Sequence, residues 1–368
     1  MAKTKTIDRF FLIIILILIS VGVAMFISAS LGILAKNEKI FYSVLTSQLV
    51  LGLGFGLVGM YIALKINYKF WQRYSLHIFI ASILLTAAVF IPHLGWNHGG
   101  ATRWIKLGPV SFQPAEILKF GFIIYFSAWL SWTKNKVKDF KFSILPLGIM
   151  LAVIAAILFK QPDTKSFILI AVTGISMLFI SGVPIKYILG VFFGAIFVLG
   201  SLVFFTPYLQ QRVKTFIDPS QDARGSSYQI QQSLIALGSG GVFGRGYGQS
   251  IQKFSYLPEP QGDSIFAVLG EEFGFIGGLV TILLYCIFAL RGMRIANNSP
   301  DLFGRLLVSG IVILITAQSF MNIASITGVF PLTGVPLVFM SHGGTSLMIY
   351  LMAIGIILNI SKFQKYNI

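Results

Sequence analysis

FSYLPEPQGDSIFAVLGEEFGFIG, residues 254–277, is where acidic residues crowd against a long apolar segment. The run it opens, Ile265 to Leu290, exceeds the roughly 20 residues that a helix needs to cross a bilayer. Asp263 stands at the junction between that run and a polar loop. An acid there has two readings. It caps the helix, since Asp before an apolar run is a favoured N-cap, or it does chemistry at the membrane edge. Position alone leaves both open.

The rest of the chain repeats the apolar run. Of 368 residues, 56% are hydrophobic and only 11% charged, with a mean hydropathy of +0.84. A soluble domain of this length carries about 25% charged residues. The composition fits an integral membrane protein. Backbone in lipid is satisfied only within helices or closed barrels, and continuous rather than alternating apolar runs select helices. The expected fold is an all-α integral membrane protein with about ten transmembrane helices. They fall near 10–35, 41–64, 74–92, 114–132, 143–160, 166–183, 187–206, 265–290, 306–326 and 345–361. Residues 1–368 read as a single polytopic membrane domain. The first run is too long for the core of a signal peptide. The lone Cys286 excludes an intrachain disulfide and a thiolate zinc site.

Charge sets the topology. Sixteen of the 28 basic residues fall on alternate connections, among them Lys3, Lys5, Arg9, Lys134, Lys136, Arg291, Arg294 and Lys365. Only Asp8, Asp139 and Asp301 accompany them. The positive-inside rule makes that side cytoplasmic, with both termini on it. A large outer loop, 207–264, then joins helices seven and eight. Because the net charge of +16 is spread in short blocks between apolar runs, no nucleic-acid partner is expected. Two further outer pieces, 93–113 and 327–344, are rich in Gly and Pro. The second is apolar enough to enter the membrane partway, where irregular backbone must be shielded by protein or line a cavity.

Within the large loop, YQIQQSLIAL (228–237) reads as a short amphipathic helix at the interface. GSGGVFGRGYG (238–248) lacks the Gly-Lys-Ser/Thr ending of a nucleotide loop. It reads as backbone that turns tightly and approaches other backbone closely.

Several polar residues stand out against the apolar background. Glu116 and Lys119 are three apart and share a helix face. A lysine one turn into a spanning helix points to a cavity-lining pair. Arg103 offers a donor fork suited to phosphate or carboxylate, although with Trp104 and Lys106 it also suits an interfacial belt. Asp163 caps the next helix or faces the same cavity. Arg212, Lys214, Arg224, Arg245 and Lys253 make the large loop basic, among Asp218, Asp222, Glu259 and Asp263. A diphosphate headgroup wants such a set, and solvated charge beside anionic lipid is the alternative. At least one of Glu271 and Glu272 is expected to be buried and paired. The four histidines, His342 among them, lack metal spacing, so no structural metal is expected.

These blocks together resemble the SEDS proteins (shape, elongation, division, sporulation), which are bacterial peptidoglycan glycosyltransferases. The resemblance covers almost the whole chain. It rests on GATRWIKLG with QPAEILKF, on QPD, on YQIQQSLIALGSGGVFGRGYG, on LPEPQGDSIFAVLGEEFG and on FPLTGVPLVFMSHGGTSL. The short path GYGQSIQKFSYLPE looks more like the division type, FtsW, than the elongation type, RodA. The resemblance implies ten spanning helices with cytoplasmic ends, Asp263 as the catalytic residue, and Glu116 and Lys119 lining a central cavity. It departs from the usual pattern at Gly262-Asp263-Ser264, at Thr164-Lys165-Ser166 and at His342, where a Tyr is usual.

The implied reaction is polymerisation of lipid II into glycan strands at the outer face of the bacterial cytoplasmic membrane during cell division, at the septum. A sugar hydroxyl attacks C1 of a sugar held as a lipid diphosphate, with inversion. That needs a base, for which Asp263 stands, and cations for the departing diphosphate. Arg103, Arg212 and Arg245 are the expected cations. Glu116, Lys119, Asp163, Glu259 and His342 are the further substrate-binding candidates. No cofactor is required, although a divalent cation, Mg or Mn, can accompany the diphosphate. The implied partners are lipid II, membrane lipids, a class B penicillin-binding protein transpeptidase (FtsI-like) and other divisome proteins. Two other readings use the same residues: a lipid II transporter that flips its substrate, and a non-enzymatic division scaffold.

The charge asymmetry makes one expectation directly testable. A cysteine at Asn135 should be shielded from an impermeant reagent applied outside, and one at Gln221 should be labelled. The opposite pattern would overturn the topology.

Overall fold

The long apolar runs form helices, and the polar residues ahead of several of them act as caps. The computed structural model describes residues 6–98, 101–107, 110–218 and 226–364. Helix α1 (Arg9–Leu34) starts at Asp8, whose carboxylate accepts from Phe11 N at 2.9 Å. α2 (Glu38–Lys65) starts at Asn37 in the same way and widens into a π-helical stretch over Ser47–Gly54. α3 (Ser75–Ala87), α4 (Pro114–Trp132) and α5 (Phe140–Lys160) follow. α6 (Thr164–Ser181) is stopped by Gly182 at φ +87°, a left-handed C-terminal position that glycine adopts without strain. This break separates α6 from α7 (Ile185–Phe205). The remaining long helices are α8 (Pro207–Ile217), α9 (Ser226–Ser239), α10 (Ile265–Asn297), α11 (Leu302–Ile326) and α12 (Gly344–Ser361), with short turns of helix at Tyr68–Arg73 and Gln252–Ser255.

Among the described residues, eight helices are long and apolar enough to cross a membrane: α1, α2, α5, α6, α7, α10, α11 and α12. The other two expected segments are also helical. Ser75–Phe90 is apolar but shorter, and α4 is made less apolar by Glu116 and Lys119. The chain is a multi-pass membrane protein. It is not wholly α-helical. Gly95–His98, Ala101–Leu107 and Val110–Phe112 form an antiparallel sheet in the order β1-β2-β3, with Trp96 opposite Trp104 and Lys106 opposite Ser111. Residues 93–113 are therefore not simply an irregular loop. Ile105 is buried and Lys106 beside it is exposed, as successive residues of a half-covered strand are.

α11 and α12 are the most enclosed helices, with α12 packed on α2 and α11 against α10, α6 and α4. α7 lies at the other extreme. Phe193, Phe197, Phe204 and Phe205 on it are exposed, as lipid-facing side chains are. The helix at 226–239 forms where 228–237 was expected and packs on α10. Asp222 and Arg224 lie outside the described residues, as do Lys3, Lys5 and Lys365.

α10 is broken at Gly274, with φ 66° and ψ −163°. That backbone region is essentially restricted to glycine. The glycine-rich segment fills the break. Arg245 N and Gly246 N donate to the carbonyls of Glu271 and Glu272 at 3.0 and 2.9 Å. Phe275 N and Ile276 N donate to Gly241 and Val242 at 2.9 and 3.2 Å. Two lost helical bonds are thus replaced by four. A methyl group on Gly240 or Gly244 would lie 2.0 or 2.2 Å from a carbonyl oxygen of α10, so backbone meets backbone here.

Gly274→Ala forces an L-residue into this region at a cost of ~1–3 kcal/mol, before any clash with Val242 O. Its melting temperature in detergent should fall by several degrees. Gly148→Ala, in a helix with nothing within 4 Å, should be neutral or slightly stabilising. Equal behaviour of the two variants would refute the account.

Candidate active site

Ser264 precedes α10 and makes no side-chain cap. Its hydroxyl donates to Pro258 O at 2.9 Å and accepts from Gln229 Nε2 at 2.9 Å. Asp263 does not cap either. Its backbone carbonyl accepts from Asn322 Nδ2 at 2.8 Å. Among the described residues, its carboxylate receives no hydrogen bond. The carboxylate turns towards Gly334 instead. A methyl group placed on Gly334 would lie 3.0 Å from Asp263 Oδ2, 3.8 Å from Lys165 Nζ and 3.9 Å from Arg212 Nη2. Three charged groups from distant parts of the chain converge on one point.

Each is held by something other than its neighbours at that point. Arg212, on α8, donates from Nη1 to Leu332 O at 2.6 Å and lies over the Tyr208 ring. Burial pushes its guanidinium pKa down, and the charge on Arg103 adds to this, while Tyr208 and Asp263 oppose it. Lys165, in the first turn of α6, donates to Gly334 O. Arg103, on β2, donates from Nε to Gln161 O at 3.0 Å and from Nη2 to Pro162 O at 2.5 Å. It thereby fastens the sheet to the turn that opens α6. Asp163 is fully buried. It caps α6 at Ser166 N and accepts from Gln113 Nε2 at 2.9 Å and Ser166 Oγ at 2.8 Å. Of its two readings the cap is the one seen: the carboxylate is committed to protein donors and not turned to a substrate.

Gly334 belongs to an irregular segment inserted into the bundle, with Leu332, Val335, Leu337 and Val338 all buried. Its carbonyls are met by side chains. Ser325 donates to Pro331, Asn322 to Val335 at 2.7 Å, Gln318 to Pro336 at 3.2 Å and Tyr285 to Val338. Gln318 leads on to the buried pair. Lys119 Nζ lies 2.8 Å from Glu116 Oε2, 2.8 Å from Gln318 Oε1 and 2.9 Å from the Tyr350 hydroxyl. That hydroxyl is within 3.0 Å of Glu116 and 2.6 Å of Gln318. The expected pair exists, but it closes on itself through Gln318 and Tyr350, and it supports the Gly334 segment two residues away at Pro336.

Three expected substrate contacts stand elsewhere. Arg245 is drawn to the break in α10, its Nε 3.7 Å from Glu271 Oε1. Glu259, with a left-handed φ of 46°, lines a separate cavity of about 420 Å³ with Lys36, Asn37, Tyr228, Tyr256 and Gln261. His342 stacks on Phe26 of α1, its backbone N donating to Gln261 O at 2.7 Å. Its Nε2 is shielded and lacks a hydrogen-bond partner among the described residues, and burial lowers its pKa. Both Glu271 and Glu272 are buried. Glu272 pairs with Lys253 at 2.8 Å, and Glu271 accepts from Ser250 Oγ at 2.5 Å and Ile251 N at 3.0 Å.

Sequence reasoning passed over Gln318 and Asn322. Their signal was there: with Ser325 they recur at i, i+4 and i+7 in an otherwise apolar helix, one polar stripe on one face. Lys165 had a signal too, as a cation at the positive end of a helix dipole.

Comparison with known proteins gives a consistent result. The family model FtsW/RodA/SpoVE, described as a cell cycle protein, matches residues 8–366. The chain is 38% identical to stage V sporulation protein E of Bacillus subtilis strain 168, over 99% of each chain. It is 37% identical to a probable peptidoglycan glycosyltransferase FtsW of Geobacter sp. strain M18, again over 99% of each. In structure it resembles a chain solved in a study of how a peptidoglycan synthase complex coordinates polymerization and crosslinking. The TM-score is 0.79 at 24% identity, covering 98% of this chain and 99% of that one. It also resembles the rod shape determining protein RodA of Thermus thermophilus, with a TM-score of 0.71 at 23% identity and 98% of both chains covered.

The buried pair generates a stability test. Lys119→Met leaves Glu116 uncompensated in the interior, and breaking a buried pair this way costs ~3–5 kcal/mol. The double variant Glu116→Gln/Lys119→Met removes both charges and should melt well above the single variant in detergent. A double variant no more stable than Lys119→Met would show that the charges are not coupled.

Proposed function

Because the chain belongs to the FtsW/RodA/SpoVE family, we propose that it is a peptidoglycan glycosyltransferase that polymerises lipid II. The observation that carries this reading is the Asp263 carboxylate, which accepts no hydrogen bond among the described residues and is turned to the same point as the Arg212 guanidinium. A base needs an open lone pair, and a departing diphosphate needs a positive field. The acceptor's 4-hydroxyl gives its proton to Asp263 as its oxygen forms a bond to C1 of the donor sugar. The bond from C1 to the diphosphate oxygen breaks on the opposite side, and the carbon inverts. The lipid diphosphate leaves with the electron pair, its charge met by Arg212. Arg103 acts at one remove, fixing the turn before α6.

No resident cofactor enters this reading. Among the described residues, no three His, Cys, Asp or Glu side chains stand together as metal ligands. A divalent cation, Mg or Mn, would arrive with the diphosphate and take most of its ligands from it.

In this reading Asp263 and the loop 207–264 lie at the outer face, which the positive-inside pattern supports, and the lipid tail stays in the bilayer. The product strands need crosslinking, and the solved relative comes from a complex that couples the two steps. A class B transpeptidase of the FtsI kind, with other divisome proteins at the septum, is the partner set in this reading.

Asp263→Asn keeps the shape and removes the base. Polymerisation of labelled lipid II should fall ~10²–10⁴-fold. Because the carboxylate caps nothing, Asp263→Asn and Asp263→Ala should melt alike and both bind lipid II. Near wild-type polymerisation by the Asn variant would rule out the base assignment. Translocation of lipid II without polymer by the wild type would favour a transporter.

A further inference from the structure

Lys165 is a cation beside Asp263 and Arg212 that the proposed reaction leaves unused. It lies in the first turn of α6, where the helix dipole disfavours a cation. It also shares its surroundings with Arg212, a second cation. Asp163, two residues away, is taken up by Gln113 and Ser166. The ammonium spends one of its three donors on Gly334 O. Arg212 likewise spends Nη1 on Leu332 O and leaves Nη2 facing the same point. The residue beneath that point is a glycine at φ +65°, which sets no side chain of its own between the cations. A strut to a carbonyl needs a donor and not a charge. Among the described residues, two cations with one carboxylate at the edge of this point leave an excess of positive charge, which a phosphate would balance.

Resting on the glycosyltransferase reading for the substrate class, we infer that Lys165 and Arg212 form, above Gly334, a seat for a diphosphate. The phosphate oxygens take the remaining N–H donors of both side chains, and Asp263 stands beside them. Ammonium and guanidinium donors to phosphate form charge-assisted bonds, about twice as strong as neutral ones. Lys165 is thus the second cation on the leaving group, supplied from α6 while Arg212 comes from α8.

Binding can be measured without turnover. The full chain in lipid nanodiscs is titrated with a polyprenyl diphosphate and, separately, with inorganic pyrophosphate, with EDTA present. Lys165→Gln keeps an amide donor for Gly334 O and removes the charge, and Lys165→Arg keeps the charge. The expected result is about tenfold or greater loss of polyprenyl diphosphate affinity for Lys165→Gln, with Lys165→Arg within about threefold of wild type and both melting like wild type. Matching loss of pyrophosphate affinity means that the anion alone is recognised. Lys165-dependent binding of the lipid with none of pyrophosphate assigns the seat to the lipid headgroup. Lys165→Gln binding within twofold of wild type would overturn the inference. A wild type that binds the diphosphate through Lys165 yet polymerises nothing would sink the glycosyltransferase reading and leave the seat in place.

Discussion

Four backbone hydrogen bonds across the break in α10 are the constraint on which the site depends. A spanning helix cannot expose free N–H and C=O groups to lipid. At Gly274 two helical bonds are lost, and the strand of glycines at 240–246 takes up all four groups. This lets the first turns of α10 take a direction of their own, with Asp263 at their head and Glu271 and Glu272 near their end. Those two acids then hold the loop that leads back to Asp263. Glu271 gathers Ser250, Ile251 and Gln252, and Glu272 pairs with Lys253, which also meets Ser28 of α1. A buried pair of this kind contributes little net stability, yet losing one partner is costly. Its effect is to hold one geometry for the loop.

Much of this was legible in the sequence, for a physical reason. Lipid imposes a long apolar run on every spanning helix, so the segments could be located to within a few residues. The runs 166–183 and 187–206 were separated, and Gly182 stands between the two helices. The glycines of 238–248 were read as close backbone approach, and they lie against α10. Glu116 and Lys119 were paired from their spacing alone. The small sheet was not seen, because its strands are short and Arg103-Trp104-Ile105-Lys106 does not alternate polar with apolar residues.

The site itself was legible only in part. Asp263 and Arg212 were singled out, but nothing local brings residue 263 to 212 or 165. That convergence is set by the segment 331–338, whose path depends on where α11 places its amides. Arg245 and Glu259 were grouped with the site because charge in one loop looks like one cluster. The fold divides them, since Arg245 follows the glycine strand to Glu271 while Glu259 turns into a separate cavity. Asp163 had two readings, a helix cap or an acid facing the cavity, and the structure uses it to start α6 and fix Gln113.

The inserted segment explains why a membrane bundle carries so many polar side chains near one place. An irregular stretch packed into the protein presents carbonyls that are wholly or partly buried, and a buried one costs ~1–3 kcal/mol if left unpaired. Here those of Pro331, Leu332, Gly334, Val335, Pro336 and Val338 are met by Ser325, Arg212, Lys165, Asn322, Gln318 and Tyr285. Neutral donors would suffice for that task, and four of the six are neutral. The two charged ones are those whose remaining donors face the Asp263 carboxylate across Gly334. Satisfying the backbone and assembling the charged site are therefore the same contacts at those two positions. Gln318 extends the arrangement inward to Lys119 and Glu116, so a buried ion pair on α4 and the carboxylate ahead of α10 are joined through one stretch of backbone.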